Sequence, residues 1–227
     1  MIGKFGRFLN DRLGRKDELV FIHIGKCGGS TVLRAIQESP AAEHLRIRHV
    51  HIRRPHYNKR SNYLFVVRDP IERAVSAFNW RKKLTGQSVF QQTRFAGESG
   101  VLQRYDTINS LAEVLYRNGE LNREAAAHYN RIHHLDMGIA FYLRGIERVS
   151  PEQVFAVLRQ ESLSEDIRRF LQVKTSLKEK DNSAARKPLS EEARDNLSRF
   201  LADDYNALAR LDAIEGEARR LHPLSSL

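Results

Sequence analysis

Three short apolar runs dominate the first third of the chain, "ELVFIHI" (18–24), "LRIRHVHI" (45–52) and "NYLFVVR" (62–68), and each predicts a strand. The first and third are nearly continuous, which suits strands buried on both faces of a parallel sheet. The second alternates, so Leu45, Ile47, His49 and His51 share one face and its two histidines point the same way. Between the first two runs, Val32, Leu33 and Ile36 recur at helical spacing. After the third, Ile71, Ala74, Val75 and Phe78 form the apolar stripe of a helix. Asp69 is placed to cap that helix, Pro70 suits its first position, and Glu72 completes a capping-box spacing. Arg73 and Ser76 fall three apart on the neighbouring face, near the helix start.

The later pattern is less regular. Residues 85–105 are polar and contain Gly86, Gly97 and Gly100, which predicts a long loop or lid. Residues 107–132 predict helix with weak patterning, 152–163 a helix running into a strand, and 164–172 a short helix. A basic polar loop follows over 174–188, then a single helix over 190–211 with acidic residues in its first turn. Strands alternating with helices predict an α/β fold, a three-layer sandwich around a central parallel sheet. No repeat or linker interrupts it, so residues 1–18 read as a basic N-terminal extension and 19–227 as a single domain.

Charge narrows the partners. The chain of 227 residues carries 38 basic and 28 acidic side chains, a formal net charge of +10, which favours an anionic partner. A nucleotide, a sulfated or carboxylated glycan, nucleic acid and a membrane surface all fit that description. The lone cysteine, Cys27, excludes an internal disulfide and a cluster of thiolate metal ligands. No apolar run reaches the roughly 18 to 20 residues that span a bilayer, and the start lacks the apolar core of a secretory signal. Phe5, Phe8, Leu9 and Leu13 among basic residues suit a short amphipathic helix, a route to peripheral membrane contact.

The stretch "FIHIGKCGGSTV" (21–32) places a glycine-rich corner between a strand and a helix. Such a corner is suited to anions, because backbone N–H groups and the helix end converge on it. Gly28 and Gly29 would let a phosphate approach the main chain, Ser30 and Thr31 add hydroxyls, and Lys26 adds a full charge. A plain tight turn that needs glycine remains the structural alternative. A nucleoside triphosphatase loop requires lysine directly after the last glycine, whereas Lys26 precedes both. A cysteine phosphatase would require arginine six positions after Cys27, where Leu33 stands.

"FIHIGKCGGSTV" resembles the "HIPKTGGTS" signature of the carbohydrate-type sulfotransferases, the group that includes heparan sulfate 2-O-sulfotransferases and chondroitin sulfotransferases. "FVVRDPIERAVSAF" is similar to that family's second signature, an arginine at a strand end, Arg68, followed eight residues later by a serine, Ser76. The resemblance covers about residues 19–81, with a weaker echo toward the C-terminus; residues 82–145 match no motif. It implies a P-loop, nucleotide-kinase-like fold binding 3'-phosphoadenosine 5'-phosphosulfate (PAPS) as co-substrate, with 3'-phosphoadenosine 5'-phosphate (PAP) as product and no metal required. Lys26 and the backbone and hydroxyls of Cys27, Gly28, Gly29, Ser30 and Thr31 would hold the phosphosulfate. Arg68 and Ser76 would hold the 3'-phosphate. In the basic loop, Ser183, Arg186 and Lys187 are candidates to contact the 3'-phosphate of the nucleotide or an acidic acceptor, with a plain solvated loop as the alternative. The chain departs from the pattern at Gly25, where the family usually has proline, and at Cys27, where it often has threonine.

The implied reaction moves a sulfuryl group to a hydroxyl, for which a histidine is a suitable base at neutral pH. His51 is the candidate general base and His49 its helper or alternative, with Lys26 stabilising charge on the leaving oxygen. Both histidines could instead be simple hydrogen-bonded members of a polar layer. A metal set of His49, His51 and His56 lacks a nearby acidic partner. His133 and His134 read as surface or structural, and Trp80, Arg81, Lys82 and Lys83 as a border of the acceptor groove. The expected acceptor is a glycan or glycolipid hydroxyl rather than nucleic acid. Golgi members of the family carry a membrane anchor, so the expectation here is a bacterial cytoplasmic enzyme. The alternative is a non-catalytic basic module for nucleic acid or anionic glycan.

Overall fold

A computed structural model describes residues 18–39, 46–171, 173 and 188–221. Its first strand, β1 (Glu18–His23), leads through the glycine corner into α1 (Gly29–Glu38), and β2 (Arg46–Val50) and β3 (Ser61–Val67) follow. The last strand of the sheet is β6 (Val154–Arg159), which enters α8 (Leu163–Leu171) through a single 3-10 turn. The four strands are all parallel, in the order β2-β1-β3-β6. This α/β architecture, a central parallel sheet flanked by helices, is the one the alternation of patterns predicts, and it is compatible with a three-layer sandwich.

The central strands explain why the fold holds. Leu19–Ile22 of β1 and every residue of β3 are buried, as are Val154–Leu158 of β6. Continuous burial needs continuous apolar sequence, and each fully buried Val, Leu, Ile or Phe contributes roughly 1.5–3 kcal/mol. α1 buries Val32, Ala35 and Ile36, and α8 buries Leu163, Ile167, Phe170 and Leu171.

Within the described residues the chain divides into two compact units. The first draws on Met1–Arg68, Ile139–Lys178 and Asn206–Leu227 and holds the parallel sheet; the second draws on Asp69–Gly138 and Glu179–Tyr205. The second unit begins with α2 (Pro70–Gln87). Its N-cap Asp69 accepts a hydrogen bond from the Glu72 N–H at 2.9 Å, and Pro70 opens the helix, as the sequence predicts. Ile71, Ala74, Val75 and Phe78 point into this unit's core with Leu102, Leu111, Leu115, Tyr129 and Leu197.

Four predicted elements are corrected. Residues 85–105 are not a loop: α2 runs to Gln87, and α3 (Val89–Thr93) and α4 (Glu98–Arg104) follow. Gly97 is the left-handed cap of α4 at φ 75° rather than the sign of a loop, and Glu98, Val101 and Leu102 are buried behind it. Residues 107–132 form α5 (Ile108–Ala112), the hairpin β4 (Tyr116–Arg117) with β5 (Glu120–Leu121), and α6 (Arg123–Arg131). Asn118 and Gly119 turn that hairpin, both at positive φ, which is the two-residue turn an Asn-Gly pair favours. The chain before β6 is a 3-10 turn, Pro151–Gln153, after the short α7 (Ile139–Leu143). The long C-terminal helix breaks at Leu201 into α9 (Glu191–Phe200) and α10 (Ala202–Leu221).

Candidate functional site

In parallel sheets, ligands gather where the strands end at their carboxyl edge. Four strand ends meet that description in the first unit: His51 after β2, Gly25–Gly28 after β1, Arg68 after β3 and Gln160 after β6. The parallel register sets β1 beside β2, with Phe21 opposite His49 and Ile22 opposite Val50. It thereby brings together His23 on β1, His49 on β2 and His51 just beyond β2.

The turn after β1 is tight. Lys26 sits at φ 70° and Gly28 at φ 88°, both in the left-handed region; for Lys26 that conformation costs on the order of 1–2 kcal/mol. The Cys27 N–H closes the turn on the Ile24 carbonyl at 3.3 Å, and the Thr31 and Val32 N–H groups bond the Gly28 carbonyl. That leaves the N–H groups of Gly28, Gly29 and Ser30 without a backbone acceptor among the described residues, at the positive end of α1. Ser30 is exposed, and Lys26 and Thr31 are half-buried. Cys27 is fully buried, with its thiol facing the Gly25 carbonyl, so its side chain belongs to the core rather than to a binding face.

The two glycines have a further reason to be glycine. A Cβ on Gly28 would lie 2.4 Å from Gln160 Oε1 and 2.6 Å from Leu163 Cδ2. One on Gly29 would lie 2.0 Å from Cδ2 and 2.3 Å from Nε2 of His23. The missing side chains therefore make room for the protein's own packing.

His23, His49 and His51 stack as near-parallel rings. His23 and His51 have centroids 4.0 Å apart, His23 and His49 5.1 Å, and Phe21 closes the stack beside His49 at 5.5 Å. The His51 Nδ1–H donates to the His23 carbonyl at 2.9 Å. Because a carbonyl only accepts, neutral His51 carries its proton on Nδ1 and its lone pair on Nε2. His49 Nε2 is hydrogen-bonded to His23 Nδ1 at 2.9 Å, so that nitrogen is engaged inside the cluster. Burial, reinforced by His51 and then His49, pushes the His23 pKa down to about 3. Burial, then His51 and Arg53, also lowers His49. Among the described residues no group of three or more His, Cys, Asp or Glu side chains is arranged to hold a metal ion.

The low pKa of His23 makes acid sensitivity an expected property. The unfolded histidine takes a proton below about pH 6.5 while the folded one does not until about 3. Stability from this group is thus complete above pH 6.5 and falls by about 1.4 kcal/mol per unit as pH drops toward 3. Urea unfolding should show about 2 kcal/mol lost between about pH 7 and pH 5, and His23→Phe should flatten that slope. A variant curve parallel to the wild type would remove His23 from the explanation.

Other predicted site residues are placed as follows. Arg68 lies half-buried at the end of β3, and Ser76 lies half-buried on α2 in the second unit. Ser183, Arg186 and Lys187 fall outside the described residues, as does the N-terminal segment before Glu18. Arg81 does not border a groove: it is buried in a two-pronged ion pair with Glu98, and Lys82 reaches Asp106 and the Tyr105 carbonyl. Trp80 is exposed on α2. His133 stacks on Phe95 at 4.1 Å, consistent with a structural part.

Sequence reasoning missed His23. Its signal was present, since His23 alternates with Phe21 on β1, but only the register with β2 turns three separate histidines into one cluster. No helix among the described residues is long and apolar enough to cross a membrane. No family model, curated protein or solved structure matches the chain.

Proposed function

We propose that this protein is a sulfotransferase that moves a sulfuryl group from PAPS to a hydroxyl of a carbohydrate acceptor. The observation that carries the reading is the position of His51. Its Nδ1–H is anchored on the carbonyl of the residue that packs against Gly29, which leaves Nε2 as its basic nitrogen at the end of β2, the strand beside the one that leads into the corner.

The residues of the corner fit an anionic donor. Three N–H groups at the start of α1, the hydroxyls of Ser30 and Thr31 and the Lys26 ammonium are all donors, and none is an obligate acceptor. PAPS supplies an activated sulfuryl group on a phosphate leaving group. His51 takes the proton from the acceptor hydroxyl as its oxygen bonds to sulfur, and the bond from sulfur to the bridging phosphate oxygen breaks. Lys26 offsets the negative charge that the departing phosphate acquires. Arg68, at the end of β3, is assigned to the 3'-phosphate by the resemblance of its signature. The exposed Arg53, Arg54, Lys59 and Arg60, on a stretch without an acidic residue between Glu43 and Asp69, suit an acidic acceptor.

That same cationic stretch favours the second reading, a non-catalytic module for polyanions. Thermal unfolding with PAP, ATP and 5'-AMP separates the two. Ligand at about 100 times its Kd should add roughly 2.7 kcal/mol, a rise of roughly 5–10 °C for a chain of this size. A rise specific to PAP, lost in Arg68→Ala, supports the enzyme. No response to any nucleotide, with salt-sensitive binding to heparin or RNA, would put the module in its place.

A further inference from the structure

We infer that the three histidines share the Nδ1–H tautomer, the backbone carbonyl of His23 fixing His51 and its ring acting as a positioning group for His49, so that His51 presents Nε2 as the basic nitrogen and His49 does not. The assignment deepens the functional reading above, because it names which imidazole is the base, yet it can be measured without any substrate.

It follows from three contacts. His51 is decided directly, since its Nδ1 faces the His23 carbonyl and must carry the proton. For His23 and His49, one of the two nitrogens 2.9 Å apart donates and the other accepts. The direction is set on the far side of the His23 ring. There Cδ2 and Nε2 lie against Gly29, at the first residue of α1, where the unpaired N–H groups of the helix end give a positive potential. A proton on His23 Nε2 would face that potential, and the described residues offer it no acceptor. A lone pair there is favoured, which puts the His23 proton on Nδ1, pointing at His49 Nε2.

His49 Nε2 is then an acceptor, and its own proton sits on Nδ1. Adding a second proton at Nε2 would set it against the His23 N–H. The groups facing the cluster are consistent with this. Phe21 contributes no charge, and Arg53, whose guanidinium approaches the His49 carbonyl at 3.5 Å, disfavours a second cation. Gly29 is part of the device, because any Cβ there would drive the His23 ring out of its place.

Free imidazole prefers the proton on Nε2, so the assignment is a departure that long-range proton–nitrogen correlation spectra of nitrogen-15 labelled protein can read. At about pH 8, above the ordinary histidine range, His23, His49 and His51 should each show a protonated Nδ1 and an unprotonated Nε2. In His23→Phe, which keeps a ring against Gly29 but removes the donor, His49 should shift to the Nε2–H form, and His51 should keep its pattern because its partner is a backbone carbonyl. A wild-type spectrum with His49 or His51 protonated on Nε2 overturns the assignment, even if the variant does not fold. So does a His49 signal unchanged in His23→Phe. Loss of the sulfotransferase reading through the nucleotide titration would leave these spectra as they are, so the two fail separately.

Discussion

Glu98→Ala is expected to cost about 3–5 kcal/mol of stability, the usual result of removing one partner from a buried ion pair. Glu98 and Arg81 are 1% and 2% exposed, and their two-pronged contact spans 2.6 and 2.9 Å. The carboxylate also accepts the His133 backbone N–H at 2.8 Å, while Arg81 lies over the Phe95 ring and donates to Gln91. Truncation would leave a guanidinium without its counter-charge and an N–H without its acceptor. For a chain of this length the midpoint should fall by roughly 6–20 °C. Calorimetry on Glu98→Ala and on the double variant Arg81→Met/Glu98→Leu checks the cause. The double variant should be the more stable of the two, since it buries no lone charge. A loss below about 1 kcal/mol in Glu98→Ala, in the range of surface pairs, would mean that water reaches the site.

His51→Ala is expected to lower turnover about 100-fold or more, within the range for a positioned acid or base. Its nucleotide-induced thermal shift should be unchanged, because the base does not hold the donor in this reading. His49→Ala should lose less, because His49 Nε2 is turned onto His23 and not toward an acceptor. Single-turnover transfer assays with PAPS and a panel of glycans would give both numbers. Near-normal transfer by His51→Ala would sink the assignment, and a larger loss in His49→Ala would exchange the two roles.

The middle of the chain shows why part of the fold escaped the sequence pattern. In residues 85–105 the helices are short and polar, with few apolar positions, so periodicity had little to act on. They hold their places through particular contacts, such as Glu98 on Arg81 and Gln92 on the Thr85 carbonyl, that join residues seven or more apart. The helical reading of 107–132 passed over the Asn118-Gly119 turn, because the strands beside it, two residues each, are too short to mark themselves. Leu201 ends one helix and precedes another without glycine or proline to announce it.

By itself the sequence determined the local elements around the corner. Dense apolar runs dictate the parallel strands, Asp69 and Pro70 dictate where α2 begins, and paired glycines dictate the turn before α1. Each is a short-range consequence of backbone geometry and burial. Tertiary structure alone decided that β1 lies between β2 and β3, and hence that His23 meets His49 and His51. It also decided that Gly29 makes room for an imidazole and that Arg81 is buried on Glu98. Strand order, register and buried pairing depend on residues far apart along the chain, so no local pattern can carry them.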